Sequence, residues 1–316
     1  MQRRDFIKLL SGAAAGWPLV ARAQQPALPV IGLIRDGSAS TSARFVAGFR
    51  KGLNENGFIE GQNVTVEYYW LEGQYDRLPA LVDNLVRRQV AVLATPGNVP
   101  THAAKAATTT IPIVFGVGED PVKLGLVANL ARPGGNATGI NFFTSEVIGK
   151  RLRLVHDLIP KAVRVAVLVN PRNASVAEST LREAQGAAAT MGLQVQNHNA
   201  STIAEIDAAF AALARERPDA LFVAPDAFLV NRGVQLAALA KRDRIPAFFG
   251  VREPVEAGGL MSYGIDLAEM FRGDKPADLP VLQAIKLELV INLQTARALG
   301  IEIPPGILPI ADDVID

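Results

Sequence analysis

Pro29-Val30-Ile31-Gly32-Leu33-Ile34, then Asp36-Gly37 and Ser38-Ala39-Ser40-Thr41-Ser42, is the stretch that decides the fold. So short an apolar run, bounded by Pro and by Asp-Gly, reads as a strand buried on both faces. Phe45, Phe49 and Leu53 follow at helical spacing and stop near Gly57. The cycle recurs as Val64–Tyr68, a helix carrying Leu78, Leu81, Val82 and Leu85, and Val90–Leu93. A helix over Asn98–Ala107 and the strand Ile113–Phe115 continue it, and a short helix near Val122–Leu130 precedes a strand around Ala137–Phe142.

A second set starts after Phe143. Val147, Ile148, Leu152, Val155 and Ile159 share a helical face, followed by the strand Val163–Val169. A helix to Met191, the strand Leu193–Asn197, a helix to Arg215 and Ala220–Val223 come next. Another helix crosses Leu229–Ala240 before Ala247–Phe249 and the strand Leu260–Tyr263. Strands alternating with helices imply parallel sheets covered on both faces. Two sets of similar size predict an α/β chain of two Rossmann-like lobes sharing a cleft.

At the start of the chain, Arg3-Arg4-Asp5-Phe6-Ile7-Lys8, an apolar stretch over Leu9–Val20 and Ala21-Arg22-Ala23 read as a twin-arginine export signal with its cleavage site. Its removal takes four basic residues and one acidic one, turning the formal charge from +1 to −2. No charge field then argues for nucleic acid. No later stretch is apolar for long enough to cross a membrane, so a periplasmic product is expected. The 316 residues contain no cysteine, which excludes a disulfide scaffold, a Cys-ligated zinc site and a thiol nucleophile.

Little in the sequence looks catalytic. His102, His156 and His198 stand apart, without metal-ligand spacing. There is no G-x-S-x-G elbow and no phosphate-binding glycine loop; in Gly116-Val117-Gly118, Asp120-Pro121 stands where the third glycine and helix belong. We therefore expect no enzyme, no cofactor and no metal. The strand C-termini carry a stronger signal, because ligands of open α/β sheets bind there. Those loops are small and polar: Asp36–Thr41, Thr95–Asn98, Gly116–Asp120, Asn141, Asn170–Ser175 and Ala224–Asp226. Free N–H groups and hydroxyls at helix starts hold carboxylates, and a carboxylate such as Asp120 or Asp226 holds an ammonium. Taken singly, each of these residues reads better as an N-cap or turn former; together, at one edge of two sheets, they describe a cleft.

Several motifs resemble one family: Val30–Ile34, Phe115-Gly-Val-Gly-Glu-Asp-Pro-Val-Lys-Leu-Gly125, Leu130-Ala-Arg-Pro-Gly-Gly-Asn-Ala-Thr-Gly139 and Val167-Leu-Val-Asn-Pro171. Gly259-Leu-Met-Ser-Tyr-Gly264, Lys275–Pro280 and Leu287–Asn292 extend the likeness over residues 28–316. The sequence resembles ABC-transporter substrate-binding proteins of the periplasmic tryptophan/tyrosine type. The resemblance implies the type I periplasmic-binding fold, two lobes joined by three crossovers and closing on one small ligand. Crossovers are then expected near Phe143–Glu146, Ser262–Asp266 and Pro280–Leu282, with lobe 1 at 28–143 plus 265–280 and lobe 2 at 144–264 plus 281–316. It places ligand contacts at Ser40, Thr41, the Thr95–Asn98 loop with Gly97, Glu119-Asp120, Asn170, Ser175, Asp226 and Tyr263. An amino acid or related small carboxylate is the implied ligand, an ABC permease the implied partner, and the receptor a monomer or weak dimer. Tyr68, Tyr69 and Trp70 are candidate pocket walls whose strand position favours core packing. The competing functions are a sensing subunit for a membrane kinase and an α/β enzyme.

One departure stands out. The family's helix of about five turns after Met-Ser-Tyr-Gly is cut short here, because Ile265–Arg272 runs straight into Gly273-Asp-Lys-Pro276. The loss is expected to bare one face of the lobe 1 sheet, at about 25 cal/mol per Å², and brings the folding of that lobe into question. Leu267, Met270 and Phe271 remain to patch part of the gap.

Overall fold

A computed structural model describes residues 28–142, 144, 147–265, 281–283 and 287–316. The first sheet comprises β1 (Val30–Arg35), β2 (Thr65–Trp70), β3 (Val92–Pro96), β4 (Ile113–Val117), β5 (Ala137–Asn141) and β11 (Leu282–Gln283). Its spatial order is β11-β5-β4-β3-β1-β2, parallel throughout. The second comprises β6 (Arg164–Val169), β7 (Gln194–Asn199), β8 (Ala220–Val223), β9 (Ala247–Phe249), β10 (Met261–Ile265), β12 (Leu287–Asn292) and β13 (Asp313–Ile315). Its order is β13-β12-β10-β9-β8-β6-β7, antiparallel only between β10 and β12.

Successive residues of a strand face opposite sides. Leu33 and Ile34 are both fully buried, yet in different clusters. Leu33 meets the Phe45/Phe49/Leu53 face of α1 (Ala43–Glu55). Ile34 shares its cluster with Leu78, Val82 and Leu85 of α2 (Leu78–Arg87). Beyond α3 (Asn98–Ala107), α4 (Ile148–Leu158) and α5 (Ala174–Met191) start the second lobe, packed on β6, where Val165–Val169 are buried without interruption. Along with α6 (Ile203–Glu216), α7 (Ala227–Asn231) and α8 (Gly233–Asp243), these elements enclose one continuous core.

Some sequence expectations are corrected. Residues 122–130 form turns rather than a helix: Gly125 takes φ +69°, and the Leu126 and Val127 amides both return to the Pro121 carbonyl. The helix across Leu229–Ala240 is two helices, broken at Arg232 where Pro254 presses on Gly233. The third crossover lies later than Pro280–Leu282, because Leu282 and Gln283 pair with Ile140 and Asn141 in the first sheet. Ile265, expected in lobe 1, completes β10 in the second sheet opposite Leu287. The export segment 1–23, Phe143 and Glu146 of the first crossover, and the shortened helix over 266–273 lie outside the described residues.

Coverage of the first sheet is uneven. Leu33, Ala94, Val114 and Thr138 stand side by side in register across β1, β3, β4 and β5. Along that row exposure rises from 0% at Leu33 through 6% at Ala94 to 40% at Val114. Helix α1 covers the β1 end of the face and leaves β4 open. Val114→Thr should therefore leave the urea midpoint nearly unchanged, whereas Val167→Ala, fully buried, should cost about 2 kcal/mol. Equal losses would mean that Val114 is covered in solution.

Candidate functional site

The C-terminal ends of the two sheets face each other, and among the described residues polar contacts cross between the lobes at both ends of the cleft, with the Arg44–Glu253 ion pair (3.4 Å) as a further link. At the β1 end, Asn231 Nδ2 donates to the Asp36 carbonyl (3.0 Å) and Arg172 Nη1 to the Gly73 carbonyl (3.4 Å). At the β4 end, Ser175 Oγ donates to Glu119 Oε2 (2.5 Å) and Asn98 Nδ2 reaches Ser175 Oγ (3.4 Å).

A pocket opens at the β1 end. Asp36, Gly37, Ser38, Thr41, Glu72 and Gly73 line it from one lobe, and Phe228, Asn231 and Arg232 from the other. Gly37 is required by close approach: a Cβ there would lie 2.9 Å from Asn231 Nδ2 and 3.0 Å from Ser42 Oγ. Asp36 is buried, its Oδ1 accepting from the Gly73 amide (2.9 Å) and its Oδ2 from the Tyr75 hydroxyl. Burial pushes the Asp36 carboxyl up, and the bonds from Tyr75 and Gly73 oppose that shift. The Tyr75 hydroxyl is pushed well above its ordinary range by burial and by the Asp36 charge.

Behind the pocket lies Asp226, the N-cap of α7. Its Oδ1 accepts from the Phe228 and Leu229 amides (3.0 and 3.2 Å) and Asn170 Nδ2 (3.1 Å); its Oδ2 accepts from Asn173 Nδ2 (2.8 Å). Asn170 Oδ1 in turn accepts from Ser201 Oγ at 2.7 Å. Burial, reinforced by the Asp36 charge, pushes Asp226 up to about 6, against the bonds from Asn173, Asn170 and Leu229. Two acids on opposite lobes thus sense one another across the cleft.

The residues expected from the sequence divide into four groups. Thr41 lines the pocket, with Ser40 beside it bonding Ser38 Oγ at 2.9 Å. Asn98 and Ser175 meet across the cleft, while Asn170 and Asp226 form the network beneath the pocket. The others point elsewhere. Thr95 is buried inside its lobe against the Thr101 hydroxyl (3.0 Å), Gly97 starts α3, and Asp120 caps a turn through the Val122 amide (2.9 Å). Asn141 is buried at the end of β5. Tyr263 packs its ring on the second lobe's core and offers only its carbonyl, to Arg151 Nε (2.5 Å). Tyr68 and Trp70 stack on edge strand β2, and Tyr69 bonds Glu67 (2.7 Å), all outside the pocket lining.

Sequence reading named Asp36 only as part of its loop and passed over Glu72, Tyr75, Phe228, Asn231, Arg232 and Arg151. Phe228, Asn231 and Arg232 follow Asp226 within two helical turns, a signal available from the loop already singled out. Arg151 was hidden on an apolar helix face. It is buried at the hinge, its Nη1 donating to the Thr144 carbonyl (3.3 Å), and burial lowers it to about 10. Among the described residues no group of three His, Asp or Glu side chains is placed to hold a metal.

Comparison with known proteins agrees with this architecture. The family model described as ABC transporter substrate binding protein matches residues 31–315. A tyrosine-binding protein of Clostridioides difficile is 27% identical over 268 residues, 81% of this chain and 76% of that protein. A conserved domain protein of Vibrio cholerae superposes with a TM-score of 0.80 at 26% identity, over 90% of this chain and 99% of that one. An ABC domain from Streptococcus pneumonia in complex with L-Trp superposes with a TM-score of 0.77 at 24% identity, over 91% and 100%.

The raised Asp226 carboxyl has a consequence for folding. Its unfolded counterpart ionises first, near 3.8, so its contribution to stability falls as pH rises from there through about 6 and is constant above. Relative to Asp226→Asn, wild type should lose up to about 3 kcal/mol between pH 4 and pH 7, read from urea midpoints. A constant difference between the two proteins over that interval would show that Asp226 titrates normally.

Proposed function

The chain belongs to the ABC transporter substrate-binding protein family, and from that membership we propose that it is a periplasmic receptor closing its lobes over an amino acid and presenting it to an ABC permease. The observation that carries this reading is the pocket, lined from both lobes by groups of both signs and an aromatic ring. Asp36 and Glu72 supply negative charge for an ammonium group. Arg232, with Ser38 and Thr41, supplies donors for a carboxylate. The Phe228 ring, 5.8 Å from the Arg232 guanidinium, offers a face to an apolar or aromatic side chain. The tyrosine-binding relative supports an aromatic amino acid as the ligand. Contacts to both lobes favour the closed arrangement, which is how such a ligand drives closure.

The Arg3-Arg4 segment supports export by the twin-arginine route before function. Among the described residues no helix is long and apolar enough to cross a membrane. Delivery then requires a membrane partner that recognises the closed form.

Titration calorimetry with tyrosine, tryptophan and phenylalanine tests the reading. At least one should bind and raise the melting temperature, while its deamino analogue binds at least tenfold more weakly. Asp36→Asn and Arg232→Ala should each weaken binding by tenfold or more. Because an ammonium ligand competes with protons for raised carboxyls, affinity should fall between pH 7.5 and pH 5. Failure of all three amino acids to bind would remove this ligand class.

A further inference from the structure

We propose that Glu119 is a latch that holds the cleft closed, separate from the ligand pocket though resting on the reading of that cleft as the binding site. Glu119 stands just past β4 in the first lobe, and both of its carboxylate oxygens are engaged. Oε1 accepts from Ser179 Oγ; Oε2 accepts from Ser175 Oγ (2.5 Å) and from Asn98 Nδ2 of its own lobe (2.6 Å). Ser175 and Ser179 are four residues apart on α5, hence on one face of the helix, one turn above the other. That spacing presents two hydroxyls to the two oxygens of one carboxylate.

The donors it receives here are two serine hydroxyls and one side-chain amide, all uncharged. Glu119, Asn98 and Ser179 are each less than 9% exposed with the lobes together. Separation of the lobes necessarily breaks both serine bonds and leaves Glu119 with Asn98. The first lobe's side is anchored: a Cβ on Gly118 would sit 2.0 Å from the Thr144 hydroxyl, so the loop carrying Glu119 lies directly against the first crossover. None of the four latch residues lines the pocket. The latch therefore sets the population of the closed, binding-competent state, and apparent affinity scales with that population.

The test reads closure without ligand. The chain has no cysteine, so spin labels at Lys51→Cys on α1 and Arg182→Cys on α5, both exposed, report the distance between lobes. Expected, in Ser175→Ala/Ser179→Ala, is a ligand-free distribution shifted away from that of the unmutated labelled protein. Affinity for the aromatic amino acid that binds wild type should fall about tenfold or more, and saturation should restore the closed distance. Ser179→Thr, which keeps the hydroxyl, should restore most of the closed population, and Glu119→Asp, one methylene short of α5, should not. An unchanged ligand-free distribution in the serine variant overturns the proposal. Weakened affinity with unchanged ligand-free distances also overturns it and makes Glu119 a ligand contact. If no amino acid binds wild type, the receptor reading fails while the ligand-free distances still decide the latch.

Discussion

One buried guanidinium sits where the two lobes are joined, and the cleft depends on it. Arg151 is 1% exposed, its Nε bonded to the Tyr263 carbonyl and its Nη1 to the Thr144 carbonyl. These carbonyls belong to the strand that leads out of the second sheet and to the segment that leads into it. Burying a charge is costly unless hydrogen bonds replace its water. Here backbone carbonyls take that place at Nε and Nη1 and tie two crossover segments to α4, while Nη2 is buried without a hydrogen-bond partner among the described residues. Gly250 and Gly264 make room: a Cβ on Gly264 would lie 1.8 Å from the Gly250 carbonyl and 3.1 Å from Arg151 Nη2.

From that hinge the cleft opens between two sets of polar groups that answer different physical demands. Asp226 and Asn170 are saturated with donors and acceptors from their own lobe. Such a network is rigid, since each member is held by its neighbours and an unsatisfied one would be expensive. Asp36 is held by Gly73 and Tyr75, and its carboxylate borders the pocket. Asp36 and Asp226, one from each lobe, interact electrostatically across the cleft. The Glu119 cluster at the far end of the cleft joins lobe to lobe through neutral hydroxyls.

The first lobe folds around an unequal sandwich. One face of its sheet carries a broad cluster running from Ile34 through Phe115 to Val281, whereas the other, among the described residues, collects around Leu33 and α1. Val114 marks where that second cover ends. The shortened helix expected to cover part of this sheet lies outside the described residues.

The alternation of apolar runs with amphipathic segments determined the two-lobe α/β architecture and the edge at which ligand would bind. A strand such as Val30–Arg35 has to hide both faces, and only helices on either side can do so. The Asp36–Thr41, Asn170–Ser175 and Ala224–Asp226 loops were likewise legible, because chain direction sends every parallel strand's C-terminus to one edge. Which side chains share the pocket was decided only by tertiary structure. Asp36 and Asn231 are 195 residues apart in sequence, and Glu119 and Ser179 are 60 apart. Thr95 and Asp226 look equivalent as polar residues after strands, yet Thr95 turns inward to Thr101 while Asp226 caps α7 beneath the pocket. Local spacing governs which elements form, since it acts through neighbours along the chain. The pairing of loops across the cleft depends on how two separately folded lobes meet at the hinge, and no periodicity encodes that.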